Sequence, residues 1–330
     1  MLRFAVRRAL LSCLTLLAIS VTTFALFFAG PANPAATMCY TPTCPPDIQA
    51  RIHHSLGLDR PVVEQYADYM RGIFVGRTID YGSTPIECPA PCLGVSFRTS
   101  EPVLDILGRS LPITVSIVVG AAIVYLLVGT TLGMVSAIRR GSMFDKLSVG
   151  LSLSFASMQI YFLGTLLTIL LVWNRGLLPR PRYVSPTDDV FAWMGGMLVP
   201  WLTLGLINAA QYARFSRAQM METLSEDFIL TARAKGLTER AVNLRHALRA
   251  AVTPLVTIAG VDVGLQLGGV VITETTFGML GIGRQAALAA GNYNLPIVMG
   301  VVMIGGVFVV VTNLMVDLLY AVIDPRVRLR

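Results

Sequence analysis

Charge is what this chain has least of: 14% of its 330 residues are Asp, Glu, Lys or Arg, whereas 54% are hydrophobic. Ordinary soluble domains carry roughly 25% charged residues, so a water-soluble fold is excluded. Lysine occurs only as Lys146 and Lys235, and neither follows a glycine. The Gly-x4-Gly-Lys-Ser/Thr phosphate loop is therefore missing, and with it the usual means of holding ATP. Histidine is limited to His53, His54 and His246. None has a Gly-x-Ser-x-Gly nucleophile motif around it and no His-Glu-x-x-His helix is present, which excludes serine hydrolysis and intramembrane metalloproteolysis. The net charge of +7 is not gathered into a basic stripe with interleaved aromatics, so nucleic acid is not an expected partner.

What the sequence has instead is long apolar runs, and about 20 such residues suffice to cross a bilayer. The first runs from Ala9 to Gly30 behind Arg3, Arg7 and Arg8. It is longer than the roughly 7–15 apolar residues of a cleaved signal, so it is read as a retained span. The others run from Arg109 to Ile138, between Lys146 and Arg175, between Asp189 and Arg214, from about Ala250 to Phe277, and from about Pro296 to Ile323. The expected fold is an all-α integral membrane protein with six transmembrane helices. Sixteen of the 26 basic residues fall on one side when the N-terminus is placed inside, and six of the other ten lie in a long segment where charge bias is weak. Both termini are therefore expected in the cytoplasm, in a multi-pass protein of the cell membrane.

Spans five and six contain the acids Asp262, Glu274 and Asp317. A carboxylate at membrane depth is costly unless it meets a partner or a water-filled path, so all three are pathway candidates. For Asp262 the competing reading is an interhelical hydrogen bond, either to Gln266 one turn on or to a neighbouring subunit. Residues 1–30 form the N-terminal tail and first span, 31–110 an extracytoplasmic insert, 111–323 a five-helix core containing the cytoplasmic loop 214–251, and 324–330 a cytoplasmic tail.

The insert holds four of the five cysteines, Cys39, Cys44, Cys88 and Cys92, on the expected oxidising side. Three pairings are possible. Links between the Cys39/Cys44 pair and the Cys88/Cys92 pair are favoured, because closing a long loop removes more unfolded-chain entropy. Zinc is the sharper alternative, with His53 and His54 nearby, but Cys-x4-Cys and Cys-x3-Cys are not the usual knuckle spacings, so no metal is expected.

The loop 214–251 has helical punctuation of its own. Ser225 is placed to cap a first helix, Glu226 and Asp227 complement its positive end, Arg233 and Lys235 its other end, and Gly236 stops it. Thr238 is placed to cap a second, in which Leu244, Ala247, Leu248 and Ala251 recur on one face. A short amphipathic helix between two spans suits docking into a groove of a soluble partner through Phe228, Ile229 and Ala232. It equally suits lying on lipid headgroups or on the helix bundle.

Asp227-Phe228-Ile229-Leu230-Thr231-Ala232-Arg233-Ala234-Lys235-Gly236, followed by Arg245-His-Ala-Leu-Arg249 and Thr253-Pro254, resembles the coupling loop of binding-protein-dependent ABC importer permeases. The likeness is to the dipeptide, oligopeptide and nickel branch, first permease subunit type. The Glu-Ala-Ala of the wider family aligns on Leu230, Thr231 and Ala232, so its glutamate is missing while Gly236 remains. Leu56-Gly-Leu-Asp-Arg-Pro61, Arg109-Ser-Leu-Pro-Ile-Thr114, Glu274-Thr-Thr-Phe-Gly278 with Gly281-Ile-Gly283, and Asp324-Pro-Arg326 are similar to other segments of that branch, in the same order. The cysteine-bearing insert departs from the pattern.

The resemblance implies a type I ABC importer permease fold and a chain that is not itself an enzyme. It implies a second homologous permease subunit, two cytoplasmic ATPase subunits carrying ATP and Mg, an extracytoplasmic solute-binding protein and surrounding lipid as partners, with no cofactor on this chain. Residues 227–236 would be the ATPase contact, and peptides or a related small solute the cargo. The alternative is a self-sufficient secondary transporter or channel driven through the intramembrane acids.

Overall fold

A computed structural model of the protein describes residues 2–28, 59–80 and 85–323, with side chains over 10–25, 59–79 and 85–316. Helix α1 is Leu2–Phe28 and α2 Val62–Val75; strands β1 (Arg77–Asp80) and β2 (Pro85–Cys88) follow. Helix α3 (Val103–Val124) passes through a π-helical segment, Tyr125–Gly129, into α4 (Thr130–Ile138). Then come α5 (Met143–Ala156), α6 (Ile160–Leu167) with a π-helical continuation to Asn174, and α7 (Val190–Leu224). The remaining helices are α8 (Asp227–Ala234), α9 (Glu239–Ala241) joined through π-helical Val242–Ala247 to α10 (Leu248–Leu267), α11 (Val271–Thr276), α12 (Ile282–Gly291) and α13 (Leu295–Ile323).

Four helical rods, Val103–Ile138, Val190–Leu224, Glu239–Leu267 and Leu295–Val316, are long and apolar enough to cross a membrane. At 1.5 Å per residue even the shortest exceeds a hydrocarbon core of about 30 Å. Helices α5 and α6 make a fifth only as a broken span, since they meet at 106°. The third run expected between Lys146 and Arg175 falls on this bent pair. Ser157 ends α5, its hydroxyl donating back to the Leu153 carbonyl at 2.9 Å, and Gln159 starts α6 in an extended conformation. In α1 the apolar stretch is Leu10–Ala25.

Several rods outrun the apolar runs that announced them. Helix α7 carries Arg214 and Arg217 and continues to Leu224, because helical hydrogen bonding does not stop where hydrophobicity does. The rod Glu239–Leu267 instead stops early, short of the Phe277 expected for the fifth span. Gly268 and Gly269 follow, and Gly269 has φ +127°, a conformation that breaks a helix and favours glycine.

The chain forms two compact units, one of Met1–Thr114, Leu267–Val271 and Leu280–Val310, the other of Val115–Gln266, Ile272–Met279 and Val311–Arg330. In the first, Leu93, Val103, Leu107, Ile282, Ala289, Ile297 and Val301 form an apolar core. Beside it β1 and β2 pair antiparallel, Arg77 opposite Cys88 and Asp80 opposite Pro85, a small hairpin in an otherwise helical chain. The segment after β2 is clasped by Asn294, which is buried. Its Oδ1 accepts from Phe97 N at 3.1 Å and its Nδ2 donates to Ser96 Oγ at 2.8 Å. Arg77 lies over the ring of buried Tyr69, and burial pushes the Tyr69 hydroxyl up to about 12 although that cation pulls the other way.

In the second unit α4 and α7 approach closely through glycines. A Cβ on Gly133 would come within 2.2 Å of the Ala213 carbonyl oxygen, and one on Gly129 within 2.7 Å of that of Ala209. Small residues permit this contact, as in other membrane helix pairs. Tyr125, Tyr212, Met134, Ala137, Met220, Ile229, Ala232, Val242, Ala247, Ala251 and Leu255 belong to one apolar core in this unit.

Candidate functional site

The loop after α7 folds as two helices, as its punctuation predicts, with one change at each start or face. Ser225 ends α7, its hydroxyl donating to the Glu222 carbonyl at 2.7 Å, and Glu226 stands at the N-cap of α8 with no side-chain cap. Gly236 adopts φ +78° and stops α8, where an L side chain would be strained. Thr238 caps the next helix by accepting from Ala241 N. Arg233 at the end of α8 pairs in two places with Glu239 at the start of α9, at 2.8 and 3.2 Å.

The face of α8 expected to meet a partner divides. Ile229 is fully buried and Ala232 6% exposed, both packed in the core of the chain itself, whereas Phe228 is 46% exposed. The correction follows from the neighbouring helix: the core supplies a socket, and the two small or branched side chains one turn apart fill it. Left outward are Asp227, Phe228, Leu230, Thr231, Arg233, Ala234, Lys235 and Gly236. The buried face of the second helix is also shifted. Leu244 is exposed, and the buried positions are Val242, Ala247, Ala251, Leu255 and Ala259. The first interval is five residues and the others four, because the π-helical stretch takes more residues per turn than the period used to choose Leu244.

One fastening was not singled out in the sequence. Asp145, buried at the start of α5, accepts from Arg217 of α7 through Nε at 2.7 Å and Nη2 at 3.0 Å, from Ser136 Oγ at 2.5 Å, and from Gly141 N at 2.9 Å. It thus ties the turn after α4 to α7, ten residues before α8. A signal existed: Asp145 and Arg217 lie just beyond apolar runs on the same predicted side of the membrane.

Of the three acids, Asp262 on α10 accepts from Tyr212 Oη of α7 at 2.7 Å. The interhelical hydrogen bond is thus present, with Tyr212 as donor in place of Gln266. Glu274 lies on α11, beyond the rod that ends at Leu267, and is fully buried. Asp317 lies on α13 with its side chain outside the described residues.

Cys88 and Cys92 form a disulfide with Cα atoms 5.4 Å apart, which corrects the favoured long-range pairing. The turn through Pro89, Ala90 and Pro91 returns the chain on itself within bonding reach, and pairing by loop entropy applies only among cysteines that can meet. The bond also removes both thiolates from any zinc site. Cys39, Cys44, His53, His54 and the tail 324–330 lie outside the described residues.

With this geometry in place, comparison with known proteins decides the family. Residues 129–329 match the binding-protein-dependent transport system inner membrane component model, and residues 1–118 match the corresponding N-terminal model. The chain belongs to that family. It is the membrane permease subunit of an ABC importer. It is 34% identical to the dipeptide transport system permease protein DppB of Escherichia coli K12, over 99% of both chains. It is 32% identical to the protein of that name from Alkalihalophilus pseudofirmus, over 99% of this chain and 100% of the other. A putative peptide transport system permease of Brucella abortus is 33% identical over 95% of each. Among solved structures, an inward-facing form of the MetNI methionine ABC transporter shares the fold, with TM-score 0.54 and 17% identity over 68% of this chain and all of that one.

Proposed function

We propose that this permease subunit forms half of a translocation path for peptides, with a second homologous permease as the other half and a solute-binding protein delivering cargo from outside. The observation that carries the reading is similarity over nearly the whole chain to dipeptide and peptide permeases from three organisms. The six spans are then α1, the α3–α4 rod, the broken α5–α6 pair, α7, α10 with its leading turns, and α13, with both termini inside. Residues 31–110 are the extracytoplasmic insert, and 111–323 the permease core.

Helix α8 is the contact for one of two cytoplasmic ATPase subunits, which carry the ATP and Mg of the complex. Its division of labour supports this reading: Ile229 and Ala232 root it in the core, while Phe228 and Leu230 leave an apolar outer surface flanked by Asp227 and Lys235. A nucleotide-driven displacement of the outer surface passes through the rooted side chains to α7 and α10, a two-state element biased by ligand. Glu274 and Asp317 remain pathway candidates.

The test is purification in mild detergent of the intact chain and of a Phe228→Asp, Leu230→Asp variant that leaves the rooted face untouched. Co-purification of an ATPase with the first and its loss from the second supports the contact. An intact chain that moves solute alone in vesicles, without any ATPase, sinks the reading in favour of the self-sufficient transporter. Uptake of a radiolabelled dipeptide, competed by longer peptides, tests the cargo.

A further inference from the structure

Tyr212 and Asp262 account for one hydrogen bond between α7 and α10, and a second tyrosine stands beside them without one. Tyr125 is fully buried, and its ring lies 4.7 Å from that of Tyr212, centroid to centroid, inclined by 34°. Among the described residues its hydroxyl makes no hydrogen bond, while the Tyr212 ring packed beside it carries the hydroxyl that donates to Asp262 at 2.7 Å. Buried hydroxyls are nearly always bonded, because leaving one unpaired forfeits its hydration with nothing in return. Tyr125 also opens the π-helical segment Tyr125–Gly129. Such segments recur at functional positions in helices.

Two packed tyrosines thus stand at one carboxylate, and only one of them is bonded to it. We propose that Asp262 is a two-position latch, taking its hydrogen bond from Tyr212 in the arrangement seen here and from Tyr125 in the alternate arrangement of the transport cycle. The inference rests on the importer reading above. The three side chains come from α7, from α10 and from the π-helical turn between α3 and α4. Exchange of the donor therefore converts a small relative shift of these helices into a choice between two arrangements. In each state the unbonded tyrosine bears the cost, which keeps the two close in free energy. Tyr125 and Tyr212 act as positioning residues for the carboxylate, and neither is required to touch cargo.

The two tyrosines give opposite predictions. In the complete complex in lipid nanodiscs, the reading is the ATP concentration at half-maximal trapping by orthovanadate, with hydrogen exchange of α7 and α10 followed in the same samples. Tyr212→Phe and Tyr125→Phe each remove one state's bond, so they shift half-trapping in opposite directions, each by about tenfold, the worth of one hydrogen bond to a charged group. In an Asp262→Asn background both shifts shrink. Shifts in the same direction mean that the tyrosines only stabilise the bundle, and overturn the latch. Tyr125→Phe without effect means that its hydroxyl is served by water, and overturns it equally. If the wild-type complex is not trapped at all, the importer reading fails first and the latch falls with it.

Discussion

The loop around α8 and the segment 85–102 are both built of short elements and turns outside the long apolar helices, yet they are fastened by different means. The first inserts two apolar side chains, Ile229 and Ala232, into a core that the long helices already provide. The second has a smaller apolar cluster, formed by Cys88, Cys92 and Val95. It is held by the Cys88–Cys92 disulfide and the Asn294 hydrogen bonds to Phe97 and Ser96. Apolar rooting on one face leaves the opposite face free and lets the element move as a unit with what it is rooted in. A cross-link with directed hydrogen bonds fixes a loop in one shape instead.

If that contrast is right, α8 yields to changes in packing and the 85–102 segment to changes in covalent and polar ties. The largest effect is expected from Ala232→Glu, which places a carboxylate among buried apolar side chains at a cost of at least about 4 kcal/mol. Protease nicking within 225–251 should rise sharply while 85–102 stays protected; equal nicking of both would dissolve the contrast. Ile229→Ala should follow at about 3 kcal/mol, the cost of emptying a well-filled site, read as faster hydrogen exchange in α8 and in the helix from Val242 onward. Cys92→Ser, with Cys88→Ser, should release about 2 kcal/mol of restraint on a short loop and open 85–102 alone to proteolysis. Opening of α8 by this change would show that the tie reaches further than argued. Arg233→Ala should be smallest, under about 1 kcal/mol, because its pairing with Glu239 is exposed and screened. A larger loss would mean that the bidentate pair, rather than the rooted face, sets the angle between α8 and α9.

How much of this was legible beforehand differs by element. Gly236 as a helix stop and Thr238 as a cap were readable from residue type, since φ above zero and an unpaired N–H are local demands. The burial of Ile229 and Ala232 was not, because an apolar face on a short helix looks the same whether it meets its own chain or another. Leu244 was misplaced because a π-helical turn changes the period without a mark in composition. Asp262 was recognised as needing a partner, but the nearer candidate in sequence, Gln266, lost to Tyr212, which is 50 residues away and across a helix interface.

By itself the sequence determined the solvent of this protein, most of its long apolar helices, the Gly236 stop and the Thr238 cap of the loop and the absence of a phosphate loop. Each follows from residue type and spacing along the chain. Only the tertiary structure decided which side chains root α8, where the third span breaks, which cysteines meet and which tyrosine holds Asp262. These are questions of what lies opposite in space, and an apolar, arginine-poor helix admits many packings until close approach of the type seen at Gly129 and Gly133 selects one.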